Sequence, residues 1–457
     1  MWFIPKYILI LAITIIIDYA AGILIEKTST RKKKRLYLVI SIISTCMVLF
    51  IFKYFNFFNT NFANIAYFLH LNYPLKTLEV ALPIGLSFHT FQSLSYVIEV
   101  YRGKQKAEYN FGIYALYVMF YPQLVAGPIE RPQNLLHQFY EKHFFDYKRI
   151  TDGLKLMIWG LFKKMVIADR LAVSVNAVYS DPIQYNGLGL ITATIFFAFQ
   201  IYCDFSGYSD IAVGSAQVMG FKLMNNFNLP YFSKSISEFW SKWHISLSTW
   251  FKDYLYIPMG GSHCKMWKWY FNLFFVFLVS GLWHGANWTY IIWGSINGLF
   301  IIFSIWTKKL RLKIITITKL NQTGFFLKCL RVFITFSLIC FSWIFFRAKN
   351  INDAFYIITH LTNGWGDILL RLKGVKQSPW FGATLALNQD QLVIVIISIT
   401  LLIAVQIVQR TGEIKNYLNN YSVYIRWPLW YLSIFVLIFL GIQSNLITND
   451  KFIYFQF

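Results

Sequence analysis

YILILAITIIIDYAAGILIEKTSTRKKKR, residues 7–35, joins a long apolar run to a block of basic residues. The run occupies residues 7–25, and a helix needs roughly 20 apolar residues to cross a hydrocarbon core. Most of its flanking charge lies behind it, at Lys27, Arg31, Lys32, Lys33, Lys34 and Arg35. A cleavable signal peptide carries charge ahead of its apolar stretch and a small-residue cleavage site after it. The stretch therefore reads as a retained anchor with its C-terminal end in the cytoplasm, where basic loops collect.

The pattern repeats outward from this anchor. A second span is expected over residues 36–57, then a polar, Asn-rich exterior loop over 59–74, then a third span over 78–100. Arg102, Lys104 and Lys106 follow that third span, so charged and uncharged ends alternate as the positive-inside rule requires. Further apolar segments lie near 111–127, 154–178, 188–218, 270–283, 286–306, 326–346, 391–409 and 427–446. The expected total is about nine to eleven spans. Pro122, Gly127 and Pro128 interrupt one segment, and Gly207 and Gly214 punctuate another. Broken helices at membrane depth are tolerated only where they face protein or a watery cavity. Residues 225–266 are too polar to be a span, and no internal repeat or low-complexity linker is visible. Arg410, Lys415 and Arg426 precede the last span and put the tail 452–457 outside; Arg371, Lys373 and Lys376 run against that count. The expected fold is an all-α integral membrane protein, one polytopic domain over residues 1–457.

Composition supports this class. Of 457 residues, 57% are hydrophobic and 14% charged, against about a quarter charged in soluble domains. Backbone buried in lipid must satisfy its own hydrogen bonds, which leaves helices or a closed barrel, and a barrel would show shorter, alternating segments. The net charge of +22 sits mostly in short loops beside apolar runs, so it marks topology and no nucleic acid is expected as a partner. Cys46, Cys203, Cys264, Cys329 and Cys340 are scattered, and the eight histidines are dispersed. Neither set has metal-ligand or disulfide spacing, so no metal is expected. The absence of a glycine-rich phosphate loop argues against a nucleotide-hydrolysing transporter.

Four stretches carry residues of chemical interest. SISEFWSKWHISLSTWFKDYLYIPMGG, residues 235–261, opens with Ser235 and Glu238, the spacing of a capping box. Trp240, Trp243, His244, Leu247, Trp250, Phe251 and Tyr254 then recur at helical spacing, with Lys242 and Lys252 opposite. The expectation is a helix near 235–254 lying in the membrane interface. His244 falls on its apolar face, either as a hydrogen-bonded structural group or as a side chain pointing into a buried site. SGLWHGAN, residues 280–287, ends an apolar run at His284, and an ionisable residue there is a functional candidate by default. Two flanking glycines would let a substrate or another backbone approach His284, and a neutral imidazole is suited to deprotonate a hydroxyl. The bland alternative is a helix-packing histidine. In YCDFSGYSD, residues 202–210, Asp204 and Asp210 need partners at membrane depth and could simply pair with Lys or Arg. Ser206-Gly207 lacks the context of a nucleophile elbow. GPIERP, residues 127–132, reads as a rigid loop whose Glu130 and Arg131 could pair with each other or with a polar substrate, a structural role being the expected one.

Taken together, GPIERP at 127–132, DFSGYSDIAVG at 204–214, NFNLPYFSKSISEFWSKWHISLSTWFKDYLYIPMGG at 226–261 and SGLWHGANWTYIIWG at 280–294 resemble the membrane-bound O-acyltransferase family. They are most similar to its bacterial branch that acetylates alginate-like polysaccharides or peptidoglycan. The resemblance implies a multi-helix bundle, with broken and interfacial helices, around a central funnel in a bacterial inner membrane. It implies that His284 is the catalytic histidine and His244 the second active-site histidine. Trp240, Trp243, Trp283, Asp204, Tyr208 and Asn287 are then candidates for substrate binding. It further implies acetyl-CoA as a cytoplasmic donor with no tightly bound cofactor, an extracytoplasmic glycan as acceptor, surrounding membrane lipids, and an exterior acetyltransferase as partner. A rival within the family transfers D-alanine to teichoic acid and is similar through NFNLP and WHISLS; a rival outside it is a transporter or flippase. In the acetylating branch, additional N-terminal membrane segments precede the part resembling residues 1–26, and this chain is expected to lack them. The tail FIYFQF, residues 452–457, resembles the aromatic C-terminal motif of a small partner in D-alanylation systems. That resemblance makes Tyr454 either a transient acyl carrier or part of an interfacial anchor.

Overall fold

The computed structural model describes residues 7–79, 83, 85–124, 127–318, 324–366, 380–410 and 422–441. Every regular element among them is helical, so the all-α expectation holds. Contacts divide the chain into two units, Met1–Lys155 with Ala212–Asn225, and Leu156–Ile211 with Asn226–Phe457.

The first unit is built on α1 (Tyr7–Lys27), α2 (Arg31–Leu49), α3 (Phe55–Phe68), α4 (Leu86–Tyr101), α5 (Phe111–Met119) and the single turn α6 (Pro132–Leu135). Leu11, Ile15, Asp18 and Ile25 of α1 are buried, while Ile8, Leu9, Ile13, Ile16 and Leu24 are exposed. Lipid is as apolar as leucine, so what selects the buried stripe is close packing and polar bonding. Both are present. The Asp18 carboxylate accepts bonds from Ser41 Oγ of α2 at 2.6 Å and from Thr45 Oγ1 at 3.1 Å. Gly22 lies so close to the Tyr96 ring of α4 that a Cβ there would meet it at 2.6 Å.

The second unit takes the end of α7 (Tyr147–Leu161), α8 (Asp169–Ser180), most of α9 (Gly187–Met219), the short α10 (Ile236–Lys242) and α11 (Ile245–Phe251), and the hairpin α12 (Met266–His284) and α13 (Trp288–Trp306). Next come α14 (Lys308–Ile317), α15 (Phe325–Arg347), α16 (Ile351–His360), and the helices Gln389–Gln409 and Val423–Leu440. A π-helical stretch, Phe162–Ala168, joins α7 to α8. The hairpin is held backbone to backbone: a Cβ on Gly281 would strike the Tyr290 carbonyl, and one on Gly294 would strike that of Phe277.

Seven helices among the described residues are long and apolar enough to cross a membrane: Ile8–Lys27, Arg31–Phe68, Gly187–Met219, Trp288–Trp306, Phe325–Arg347, Gln389–Gln409 and Val423–Leu440. The segments expected near 78–100, 111–127, 154–178 and 270–283 are not among them. The helix in the first of these has 16 residues and that in the second 9.

Three expectations are corrected. The polar stretch at 59–74 is no loop at its start, because α3 runs on to Phe68. Two of its asparagines are bonded in place: Asn61 Nδ2 donates to the Phe57 carbonyl at 2.7 Å, and Asn59 Oδ1 accepts from Tyr73 Oη at 2.7 Å. Gly207 and Gly214 do not break α9, which is continuous over 33 residues. They are contact points instead, Gly207 against the Gly160 carbonyl at 2.7 Å from a built Cβ, and Gly214 through its carbonyl against Gly153 at 2.7 Å. Third, the helix expected near 235–254 is two helices with His244 between them.

Candidate active site

The start of α10 follows half of the capping box read from sequence, since Glu238 turns back to the residue before the cap and not to the cap itself. Ser235 Oγ accepts from the Glu238 N–H at 3.1 Å, and Glu238 Oε2 accepts from the Lys234 N–H at 2.8 Å. The helix then stops at Lys242 because the backbone groups that would extend it are bonded elsewhere. The Ile245 N–H donates to the Asn226 carbonyl at 2.9 Å and the Ser246 N–H to Asn226 Oδ1 at 3.3 Å. The Lys242 carbonyl accepts from the Asn228 N–H at 3.0 Å. Between these captured groups His244 adopts φ 45°, ψ 55°, a left-handed conformation that costs a residue with a Cβ roughly 1–2 kcal/mol. Strain of this kind concentrates at functional sites.

The break directs the His244 ring against Phe205 of α9, edge on at 4.5 Å between centroids, and toward Trp283 of α12 at 6.2 Å. Burial pushes the His244 imidazole down to about 3, so it is neutral at physiological pH. His284 ends α12 and is 5% exposed. Its ring meets Trp283 at 4.9 Å, Trp293 at 5.0 Å and Phe346 at 5.3 Å. The two histidines are thus neighbours of one indole, that of Trp283. Behind them Trp293 stacks on Trp343 at 5.7 Å with 15° between planes.

The other candidates are distributed around this core. Trp243 is 2% exposed and packs on Trp343 at 5.2 Å and on Phe239 at 5.5 Å. Trp240 lies edge to Trp293 at 5.6 Å. Asn287 caps α13, its Oδ1 accepting from the Thr289 N–H at 3.1 Å while its Nδ2 donates to the Lys349 carbonyl at 3.2 Å. Gly281 and Gly285, which flank His284, admit the backbone and the Tyr290 ring of α13. Asp204 is 3% exposed and lies 2.6 Å from Lys164 Nζ, which also reaches Asp169 at 2.7 Å. Lys163 Nζ pairs with Asp210 at 2.7 Å and donates to Ser206 Oγ at 2.9 Å. Both acids therefore have lysine partners on the π-helical stretch. Tyr208 is half-buried on α9. Tyr454 lies outside the described residues.

Sequence reasoning singles out neither the two lysines, nor Asn226, nor Asp18. Lys163 and Lys164 had a signal, two adjacent cations inside an apolar segment and two acids in another. Asp18 had one too, as the sole acid in its run. Asn226 had none, because its role is made by contacts far along the chain.

Within the first unit, Glu130 of the GPIERP loop is 1% exposed and accepts from the Met224 N–H and from Asn134 Nδ2. Burial pushes its carboxyl up to about 7 despite these bonds and nearby Arg131. The folded state therefore holds a proton that the unfolded chain gives up near the ordinary carboxyl value, so this stability is present at low pH and is lost as pH rises toward 7. Thermal unfolding in detergent should show a midpoint that falls from about pH 5 to about pH 8, and Glu130→Gln should flatten that slope. An equal slope in the variant would discount the proton.

Residues 13–346 match the profile of the MBOAT, membrane-bound O-acyltransferase, family. The chain is similar to a probable alginate O-acetylase of Pseudomonas aeruginosa, 38% identical over 355 residues, covering 77% of this chain and 65% of that protein. It is similar to a peptidoglycan O-acetyltransferase of Helicobacter pylori, 35% identical over 383 residues and covering 77% and 69% of the two chains. A teichoic acid D-alanyltransferase of Bacillus subtilis is 28% identical over 284 residues, with coverage of 58% and 69%. The chain thus spans 65% of the length of the Pseudomonas relative, just under two thirds.

Proposed function

This chain belongs to the membrane-bound O-acyltransferase family, and from that premise we propose that it moves an acetyl group from a cytoplasmic thioester donor, acetyl-CoA, to hydroxyls of an extracytoplasmic glycan. The membrane is a bacterial inner membrane, as the bacterial relatives favour. The observation that carries the reading is the pair of buried histidines packed against one indole. His284 Nε2 or Nδ1 takes the proton of the attacking hydroxyl as the new C–O bond forms. The C–S bond then breaks, and the imidazolium gives that proton to the leaving thiolate. His244, neutral and fixed by its backbone, donates its N–H to the carbonyl oxygen where negative charge develops.

Trp283 and Trp293 exclude water around the imidazole, which protects the thioester from hydrolysis. Asp204 ties α9, which carries Phe205 as the wall behind His244, to Lys164 of the π-helical stretch. Asn287 fixes the turn between His284 and α13. A separate exterior enzyme is the proposed partner that completes delivery.

Mild alkali treatment of surface polymers, from cells with and without the chain, tests the reading. Ester-linked acetate that depends on the chain supports it and identifies the acceptor glycan. D-alanine released in its place would move the function to the teichoic acid branch, and no dependent ester of either kind would remove acyl transfer altogether.

A further inference from the structure

The residue that does most to shape the His244 break carries no chemistry of its own. Asn226 is 1% exposed and supplies two acceptors to the start of α11 from one position, its carbonyl to Ile245 and its Oδ1 to Ser246. In a continuous helix those N–H groups would bond to the carbonyls of Ser241 and Lys242. The first N–H groups of a helix need outside partners, and here one side chain and its own backbone provide them. The Ser248 N–H returns to the His244 carbonyl at 2.9 Å, so the α-helical ladder resumes directly after the break. His244 is thereby caught between a helix that ends at Lys242 and one whose first donors are committed to Asn226. Among the described residues the Asn226 Nδ2 has no hydrogen-bond partner, so what the side chain contributes is its oxygen.

We propose that Asn226 is the positioning residue for His244, holding its imidazole against Phe205 and Trp283 through the backbone of Ile245 and Ser246. The proposal rests on the acyl-transfer reading for its effect on rate, but its geometry stands apart from that reading. Without the Oδ1 acceptor, the Ser246 N–H is free to reach back toward Lys242, the left-handed residue relaxes, and the ring swings away from Phe205. Asp at this position keeps an oxygen where Oδ1 stands, exchanges the amide group for a second oxygen, and brings a carboxyl that burial favours in its neutral form.

The test uses the full chain in detergent micelles, with Asn226→Ala, Asn226→Asp, His244→Ala and the double variant Asn226→Ala/His244→Ala. Two readouts are taken: the rate of ester formation, and the extent of diethyl pyrocarbonate modification at each histidine by peptide mass spectrometry. Asn226→Ala should slow transfer about tenfold, the scale of one lost buried hydrogen bond. It should raise labelling at His244 while His284, and His89, a buried histidine of α4, stay protected. Asn226→Asp should restore both readouts, and the double variant should be no slower than His244→Ala alone. A wild-type rate and labelling pattern in Asn226→Ala would overturn the proposal. So would failure of Asn226→Asp to restore the labelling pattern, additive losses in the double variant, or labelling of His284 that rises as much as that of His244, which marks general loosening. If His284→Ala leaves transfer untouched, the functional reading falls, and the labelling readout still decides the geometry.

Discussion

Replacing His284 by alanine is expected to lower chain-dependent ester formation by about 10²–10⁴-fold, the range that a positioned general base contributes. The measurement is ester acetate released by alkali at equal membrane expression of variant and wild type. The size follows from the environment. The imidazole is 5% exposed and walled by Trp283, Trp293 and Phe346, so water cannot readily replace it as proton acceptor. The substitution should leave the α12–α13 pairing in place, because its closest approach, at Gly281 and Gly294, is made by backbone and glycine. Undiminished ester with a normal elution profile would reduce His284 to a packing residue.

Lys164→Met should instead attack the fold. Its ammonium is shared between Asp204 at 2.6 Å and Asp169 at 2.7 Å, and the Asp204 side chain is only 4% exposed. Removing one partner of a buried pair leaves an uncompensated charge and costs about 3–5 kcal/mol. The expected outcome is loss of most monodisperse protein after solubilisation, or a strongly lowered unfolding midpoint. Adding Asp204→Asn should recover much of that loss, since a neutral pair of similar shape costs far less than a stranded carboxylate. If Lys164→Met is tolerated, Asp204 is held by other groups and the pair is incidental to stability.

The helical fold was legible because each apolar run states its own answer: lipid-facing backbone must be helical wherever it lies. The Ser235 cap was legible for the same reason, since its partners are three residues away. What sequence could not show are features decided by distant residues. The break at His244 is made by Asn226 and Asn228, which capture backbone groups that helical periodicity had assigned to one continuous helix. Glycines misled in the same way. Gly207 in isolation reads as a helix breaker, yet opposite Gly160 it is a point of close approach that keeps α9 intact. His284 was found because its cost in an apolar run is local information; that its walls come from α13 and α15 was not.

The seam between α12 and α13 has a consequence for how a substrate can be admitted. Where two helices touch through side chains, rotamer changes let them breathe apart and close again. Gly281 and Gly294 leave no side chain between the backbones at this seam, so the hairpin has no such slack and behaves as one rigid bracket. His284 is then a fixed post at the end of that bracket. Any gate must belong to the parts that lean on it, and the turn at His244 is itself tied down by Asn226 and Asn228, which leaves the end of α15, the source of Phe346. Entry is a matter of moving the wall away from the base, never the base away from the wall.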